Sequence, residues 1–339
     1  MFKVNGTVLD NVKFNGVDLD KVLVNGVIVF EKVQFNNTVT MRTLQDSITI
    51  TVQTKDLSPC EVWNAGNKIG VLNNDQETSI FIPNKNEDVI IKGKDITSLS
   101  CLSNQLTSLN VQGLNNLQTL YCTSNQLTSL NVQGLNNLYY ISCSCNQLTS
   151  LNVQGLNNLH SFSCSSNQLT SLNVQGLNNL YYFDCDINQL TSLNVQGLNN
   201  LYYLSCSSNQ LTSLNVQGLN NLHSFDCRSN QLTELNTQGL TALQELYCNS
   251  NQLTELNMQG LTALQKLYCY SNQLTAQAFK EIFNSLLQTE NGIALVYSEY
   301  NDNNYKDFTR PTELVKAFNG AKARGWKFYK NAVDDKFLL

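Results

Sequence analysis

The chain has 339 residues, and its 26 acidic and 21 basic side chains give a formal net charge of −5. Only 14% of the residues are charged, and residues 99–233 contain just Asp184, Asp186, Asp226 and Arg228. A surface this neutral cannot attract a phosphate backbone, which excludes a nucleic-acid partner. There is also no run of 18 apolar residues, so we expect no membrane insertion.

A short repeat opens the chain and predicts β-hairpins. The pairs Asn5-Gly6, Asn15-Gly16 and Asn25-Gly26 are 10 residues apart and lie between apolar stretches, which is the pattern of tight hairpin turns. About 30 residues of meander bury too little surface to stand alone. We therefore predict that residues 1–32 are an attachment module. The stretch resembles "V-N-G-x-x-V" modules of bacteriophage tail and virion proteins, which would make other virion proteins its partners. An ordinary hairpin module of a bacterial protein is the alternative.

Residues 33–95 read as a small all-β domain. Three segments have the pattern of β-strands, with apolar residues that alternate with polar ones or follow one another over the length of a strand. These segments are "DSITITVQT", "TSIFIPN" and "NEDVIIKG". The opening "MFKVNGTVLD" lacks a basic stretch followed by an apolar one, so we expect no ordinary secretory signal.

A 21-residue repeat spans residues 96–275. The copies follow the pattern L-x-x-L-x-C-x-x-N-x-L, as in Leu117 to Leu127, with isoleucine or phenylalanine in place of a leucine in several of them. Within a copy, Leu120 and Cys122 alternate with Tyr121 and Thr123, which is the period of a strand. A single strand cannot bury its apolar side, so the copies must stack into a solenoid. The pattern resembles the short bacterial class of leucine-rich repeat. This resemblance implies a parallel β solenoid with extended segments on both sides of each coil, preceded by an immunoglobulin-like domain at 33–95.

Nine of the eleven cysteines occupy one position of the repeat, and its asparagines recur with the same step. The spacing favours buried free thiols over disulfides or zinc ligands, because no C-x-x-C pair is present. We predict no metal site, and we expect Cys145, which lies outside the series, to face solvent. The cysteines of the series are Cys101, Cys122, Cys143, Cys164, Cys185, Cys206, Cys227, Cys248 and Cys269.

Residues 276–339 change character and predict an α/β C-terminal cap. Phe279, Ile282, Phe283 and Leu286 recur with helical spacing, and "GIALVYS" and "GWKFYK" read as strands around a second helix that Pro311 opens. Such a segment would cover the open end of the solenoid, whose leucines would otherwise meet water.

The sequence contains no catalytic constellation. It has no phosphate-binding loop, no nucleophile elbow and no zinc-protease motif. Its two histidines, His160 and His223, are three coils apart, or roughly 14 Å at the spacing of parallel strands. We therefore predict a non-enzymatic protein without cofactors.

The residues that differ between copies of the repeat lie mostly in and next to the strand, which indicates a binding face. The side chains of each strand that alternate with the buried ones point to one side, and in leucine-rich repeats this concave face is the usual binding surface. Aromatic rings beside carboxylates and hydroxyls suit a host-surface glycan or a protein. The predicted binding residues are Tyr140, Tyr182, Asp184, Asp186, Tyr203, Asp226, Arg228, Tyr247 and Tyr268.

Two functions follow from these features. The first is a bacteriophage virion component, associated with the tail or capsid and assembled in the bacterial cytoplasm, which displays the repeat surface for host or partner recognition. The alternative is a bacterial cell-surface adhesin. The N-terminal module and the missing signal favour the first.

Overall fold

A computed structural model gives the architecture of the chain. It describes the backbone of residues 34–299, 302–332 and 335–339, together with six short strands within residues 2–31. Side chains are described for residues 34–299, 302–330 and 338–339. Over these parts of the chain, no helix has the length and apolar character needed to cross a bilayer.

The six N-terminal strands pair as three separate antiparallel hairpins. The Asn-Gly turns predicted between the paired strands lie outside the described residues, and the role of residues 1–32 in attachment stays a prediction. The strands are β1 (Phe2–Val4), β2 (Thr7–Leu9), β3 (Val12–Phe14), β4 (Val17–Leu19), β5 (Lys21–Val24) and β6 (Val27–Glu31).

Two sheets follow, and both continue into the first coil of the repeat. One has the strand order β10-β9-β12-β7-β14, and the other begins β11-β8-β13. Because β13 and β14 belong to the first coil, the apolar core runs without a break from this unit into the solenoid. The immunoglobulin-like character of residues 33–95 stays a prediction. The strands are β7 (Asn37–Thr43), β8 (Ser47–Thr54), β9 (Cys60–Asn64), β10 (Asn67–Leu72), β11 (Thr78–Phe81), β12 (Val89–Gly93), β13 (Ile96–Ser100) and β14 (Leu106–Asn110).

The repeat forms a parallel β solenoid, as its period predicts. Between residues 119 and 268 each coil contributes one short strand, and consecutive strands pair in parallel at a step of 21 residues, as Leu120 does with Ile141. The other side of each coil has no helix, and after β14 its segments carry no named strand. The parallel strands are β15 (Thr119–Tyr121), β16 (Tyr140–Ser142), β17 (Ser161–Ser163), β18 (Tyr182–Asp184), β19 (Tyr203–Ser205), β20 (Ser224–Asp226), β21 (Glu245–Tyr247) and β22 (Lys266–Tyr268).

Columns of equivalent apolar residues fill the interior. The leucines, valines and cysteines of the repeat are nearly all inaccessible to water, and burial of this apolar area supplies the driving force for stacking. All nine repeat cysteines are buried free thiols, whereas Cys145 is exposed. Burial raises the pKa of Cys101, Cys143 and Cys248 to about 12. These thiols therefore behave as small apolar side chains.

The repeated asparagine ties neighbouring coils together. The side-chain nitrogen of Asn188 donates hydrogen bonds to the carbonyl oxygens of Cys164, Cys185 and Asp186, each at 3.1 Å. Its side-chain oxygen accepts the backbone N–H of Leu169 at 3.0 Å. One side chain thus satisfies buried polar groups of two coils, which explains why the residue recurs with the period.

The C-terminal segment extends the sheet beyond the last coil. Helix α1 (Ala276–Ser285) begins at Thr275, whose side chain accepts the N–H of Ala278. Strand β23 (Gly292–Ser298) pairs in parallel with β22, and β24 (Trp326–Ala332) with β23. Helix α2 (Thr312–Ala323) lies between them in the chain, and β25 (Asp335–Leu338) ends the sheet antiparallel to β24.

A buried asparagine from this segment completes the inter-coil hydrogen bonding. Asn304 donates to the carbonyl oxygens of Cys269 and Val296 and accepts the N–H of Leu274, the same pattern that the repeat asparagines make. The neighbouring Asp302 is also buried and accepts the N–H of Ser271. Asn304 and Asp302 therefore have structural roles.

Candidate functional site

The strands of the solenoid bring most of the predicted binding residues onto one surface. The side chains at the first and third positions of β15 to β22 lie on the outer side of the sheet, while the central residue is buried, as Phe183 is. Parallel register places Tyr182 beside Tyr203, and Ser205 between Asp184 and Asp226. We call the surface formed by Tyr182, Asp184, Asp186, Tyr203, Asp226 and Arg228 the sheet-face patch.

Two stacked tyrosines form the aromatic part of the patch. The ring centroids of Tyr182 and Tyr203 are 4.5 Å apart and the rings are inclined by only 4°. Both side chains are partly buried, and burial together with the charge of Asp184 raises the pKa of Tyr182 to about 12. The two phenols therefore stay neutral near pH 7 and present one continuous apolar surface.

Two carboxylates beside the rings have hydrogen-bond donors but no basic partner within the described residues. Asp184 accepts the Ser163 hydroxyl at 2.9 Å. Asp186 accepts the Ser205 hydroxyl at 2.5 Å and the Ser207 N–H at 2.6 Å. Burial and the charge of Asp184 raise the pKa of Asp186, and its hydrogen bonds oppose this shift. The carboxylates of Asp184 and Asp186 are thus held in place by hydrogen bonds from neutral donor groups.

Asp226 and Arg228 neutralise each other at the far side of the patch. The guanidinium of Arg228 lies 3.1 Å from the Asp226 carboxylate, which also accepts the Arg228 N–H at 3.1 Å. Asp226 is only 7% exposed. Burial raises its pKa to about 6, against the pull of Arg228. Asp226 therefore orients Arg228 rather than offering a free carboxylate to a ligand.

A strained residue adjoins the patch and was not recognised from the sequence. Ile187 has a φ of 50°, in the left-handed region, and its side chain is 57% exposed. Most other coils place serine at this position. A β-branched side chain is disfavoured in this conformation. The coil that carries Tyr182, Asp184 and Asp186 thus also exposes an apolar side chain at a conformational cost.

The remaining predicted residues lie outside the patch. Tyr140 is separated from Tyr182 by the strand of Ser161 and packs edge-on against Tyr139, with centroids 4.7 Å apart. Tyr247 and Tyr268 form a T-shaped pair at 5.0 Å on the strands after Asp226. They extend the same face toward the C-terminus.

A second row of aromatic residues, missed from the sequence, lies just before the strands. Neighbouring rings stack with centroids 4.8, 5.1, 4.9 and 4.1 Å apart. The rings and a row of asparagines line an open groove of about 790 Å³. We call this feature the edge groove. Its rings are Tyr139, His160, Tyr181, Tyr202 and His223, and its asparagines are Asn137, Asn158, Asn179, Asn200 and Asn221. The recurrence of aromatic residues at this one position of the repeat could have predicted the edge groove from the sequence.

The described side chains form no cluster of three or more acidic, histidine or cysteine residues that could hold a metal ion. The two histidines belong to the ring stack and are separated by Tyr181 and Tyr202, so they do not meet. What the described surface offers is contact area and hydrogen bonds.

The fold is shared with solved structures of leucine-rich repeat proteins. The functional domain of InlJ from Listeria monocytogenes, whose structure includes a cysteine ladder, is 27% identical with a TM-score of 0.52, over 70% of this chain and 53% of that one. A leucine-rich repeat protein of Leptospira interrogans is 27% identical with a TM-score of 0.48, over 56% of this chain and 58% of that one. The leucine-rich effector YopM of Yersinia pestis is 26% identical with a TM-score of 0.47, over 52% of this chain and 50% of that one.

This chain thus spans little more than half of the InlJ structure that it matches. No protein-family model and no curated protein sequence matches it.

Proposed function

We propose that the protein is a non-enzymatic binding protein whose sheet-face patch engages a protein partner. The observation that carries this proposal is the stacked pair of Tyr182 and Tyr203 beside the carboxylates of Asp184 and Asp186. Buried aromatic anchors surrounded by polar groups are the usual centre of a protein interface. The exposed side chain of Ile187 adds apolar area at the border.

The charges of the patch favour a partner that presents a basic side chain. Arg228 is already paired with Asp226, while Asp184 and Asp186 have no basic partner among the described residues. A lysine or arginine placed between these carboxylates and the tyrosine rings would gain both ionic and cation–π attraction. Such a contact would also weaken with added salt, since charged partners are screened.

The specific setting of this binding is a further part of the proposal. We infer a bacteriophage virion component, with residues 1–32 joined to other virion proteins, and a bacterial cell-surface adhesin is the alternative. The support for the first is the N-terminal repeat of Asn-Gly pairs. Mass spectrometry of purified particles from the source tests it: finding the chain in particles supports the virion setting, and finding it only on washed cell envelopes supports the adhesin.

Replacing Tyr182 and Tyr203 together by alanine is expected to weaken binding by roughly 1–3 kcal/mol, because both rings would be lost from the centre of the interface. The measurement starts with proteins crosslinked to the full chain in a cell extract. The dissociation constant of the captured partner is then determined by calorimetry for the wild type and the variant.

Tyr121→Ala is the matched control. Tyr121 is 38% exposed on the same face, three strands from Asp184 in the same row. The Tyr121→Ala substitution should leave the affinity for the protein partner unchanged. Equal affinity of the double variant and the wild type, with circular dichroism showing that both are folded, would contradict the proposal that the sheet-face patch binds the partner.

A further inference from the structure

The edge groove is a separate surface from the sheet-face patch, although the two are adjacent in sequence. Tyr181 belongs to the groove and Tyr182 to the patch. The groove runs along the solenoid axis across five coils, and each coil contributes one ring and one asparagine. A ligand that fills it must therefore be extended.

The faces of the rings are used within the stack, so a ligand would meet ring edges and polar atoms. Neighbouring rings are inclined by only 10–20°. Tyr139, Tyr181 and Tyr202 are each 36–40% exposed, and their hydroxyls make no hydrogen bond to the described residues. The groove thus offers a line of phenol hydroxyls rather than open aromatic faces.

The two histidines add acceptors to this line. His160 Nδ1 lies 3.2 Å from the carbonyl oxygen of Asn179, and His223 Nδ1 lies 2.7 Å from that of Asn221. A carbonyl oxygen only accepts hydrogen bonds, so Nδ1 carries the proton in each ring. In the neutral imidazole, Nε2 is then an acceptor.

The row of asparagines supplies a second line of acceptors. Each side-chain nitrogen donates to a backbone carbonyl of the preceding coil, as Asn179 does to Asn157 at 2.9 Å and Asn200 to Asn178 at 2.8 Å. The side-chain oxygens of this row accept no hydrogen bond from the described residues. The amides are thereby fixed in orientation, with one acceptor free in every coil.

No aspartate, glutamate, lysine or arginine lines the groove. A charged ligand would lose its hydration there without gaining an opposite charge. A neutral ligand with many hydroxyl groups would instead match phenol, imidazole and amide groups one by one.

We propose that the edge groove binds an extended, neutral, β-linked polysaccharide along the solenoid axis, with about one hexose unit per coil. The ring spacing of 4.1–5.1 Å is close to the advance of one hexopyranose unit in such a chain. The inference does not depend on the protein partner of the sheet-face patch.

Calorimetry of the full chain with oligosaccharides tests this. The probes are the dimers, tetramers and hexamers derived from cellulose and from chitin. We expect binding by at least one series, with affinity rising from dimer to hexamer because each further unit reaches another coil. No binding by either hexamer, or equal affinity for dimer and hexamer, would overturn the proposal.

Tyr181→Phe is the informative variant because it keeps the ring in the stack and removes only the hydroxyl. It is expected to weaken hexamer binding about three- to tenfold, while Tyr121→Phe, on the sheet face, leaves it unchanged. Unchanged binding by Tyr181→Phe would place the saccharide elsewhere. A polar peptide that binds in place of the hexamers and depends on Tyr181 would also contradict the proposal.

Discussion

Replacing Phe183 by alanine is expected to lower the free energy of unfolding by about 3–5 kcal/mol, the range for emptying a buried phenylalanine site. Phe183 is inaccessible to solvent and stacks on Phe162 of the preceding coil with ring centroids 5.4 Å apart. The vacated space adjoins columns of repeat side chains that cannot close on it without moving the coils. Urea denaturation followed by circular dichroism measures the change.

The chain itself supplies the control for this variant. The equivalent position holds leucine in several coils, including Leu120, Leu204 and Leu246, and all of these are buried. Phe183→Leu should therefore cost less than about 1.5 kcal/mol, since it keeps most of the volume. A loss as large as that of Phe183→Ala would show that the coil of the sheet-face patch tolerates repacking less than its neighbours.

Replacing Asn188 by alanine is expected to lower the free energy of unfolding by about 3 kcal/mol, because buried backbone groups lose their partners. The Leu169 N–H would lose its acceptor, and the Cys164 carbonyl would keep only the hydrogen bond from Asn167; both groups lie in the preceding coil. The variant should therefore loosen the contact between two coils. Hydrogen exchange is expected to accelerate at Leu169, and urea denaturation gives the global effect.

Asn178→Ala is the matched control, since Asn178 is an exposed asparagine of the neighbouring coil. Its substitution is expected to change stability by less than about 0.5 kcal/mol. If both variants lose the same small amount, the inter-coil hydrogen bonds of Asn188 do not stabilise the solenoid as described.

The period predicted the solenoid because every element of the coil repeats with it. One strand per copy, the buried cysteines and the bonded asparagines all follow from a pattern that no single copy could satisfy alone. The continuation of the sheets into the first coil was not predicted. It depends on pairing between β7 and β14, which are far apart in sequence.

The candidate site was predicted only in part, because strand alternation does not define burial. It placed Tyr182, Asp184 and Tyr203 on one face, but it treated Asp226 as equally accessible, whereas that residue is 7% exposed. Alternation also ignored the position before the strand, where Tyr181 stacks on His160 and Tyr202. The left-handed backbone conformation of Ile187 is set by the turn that follows the strand, so the pattern of apolar residues in the sequence does not predict it.

Hydroxyl-radical footprinting tests the proposed protein-binding patch most directly. The full chain is oxidised with and without its captured protein partner, and mass spectrometry reads the oxidation of each tyrosine. We predict that the partner protects Tyr182 and Tyr203 and leaves Tyr121, on the same face, unchanged. Oxidation of Tyr182 and Tyr203 at an unchanged rate in the presence of bound partner would contradict the account.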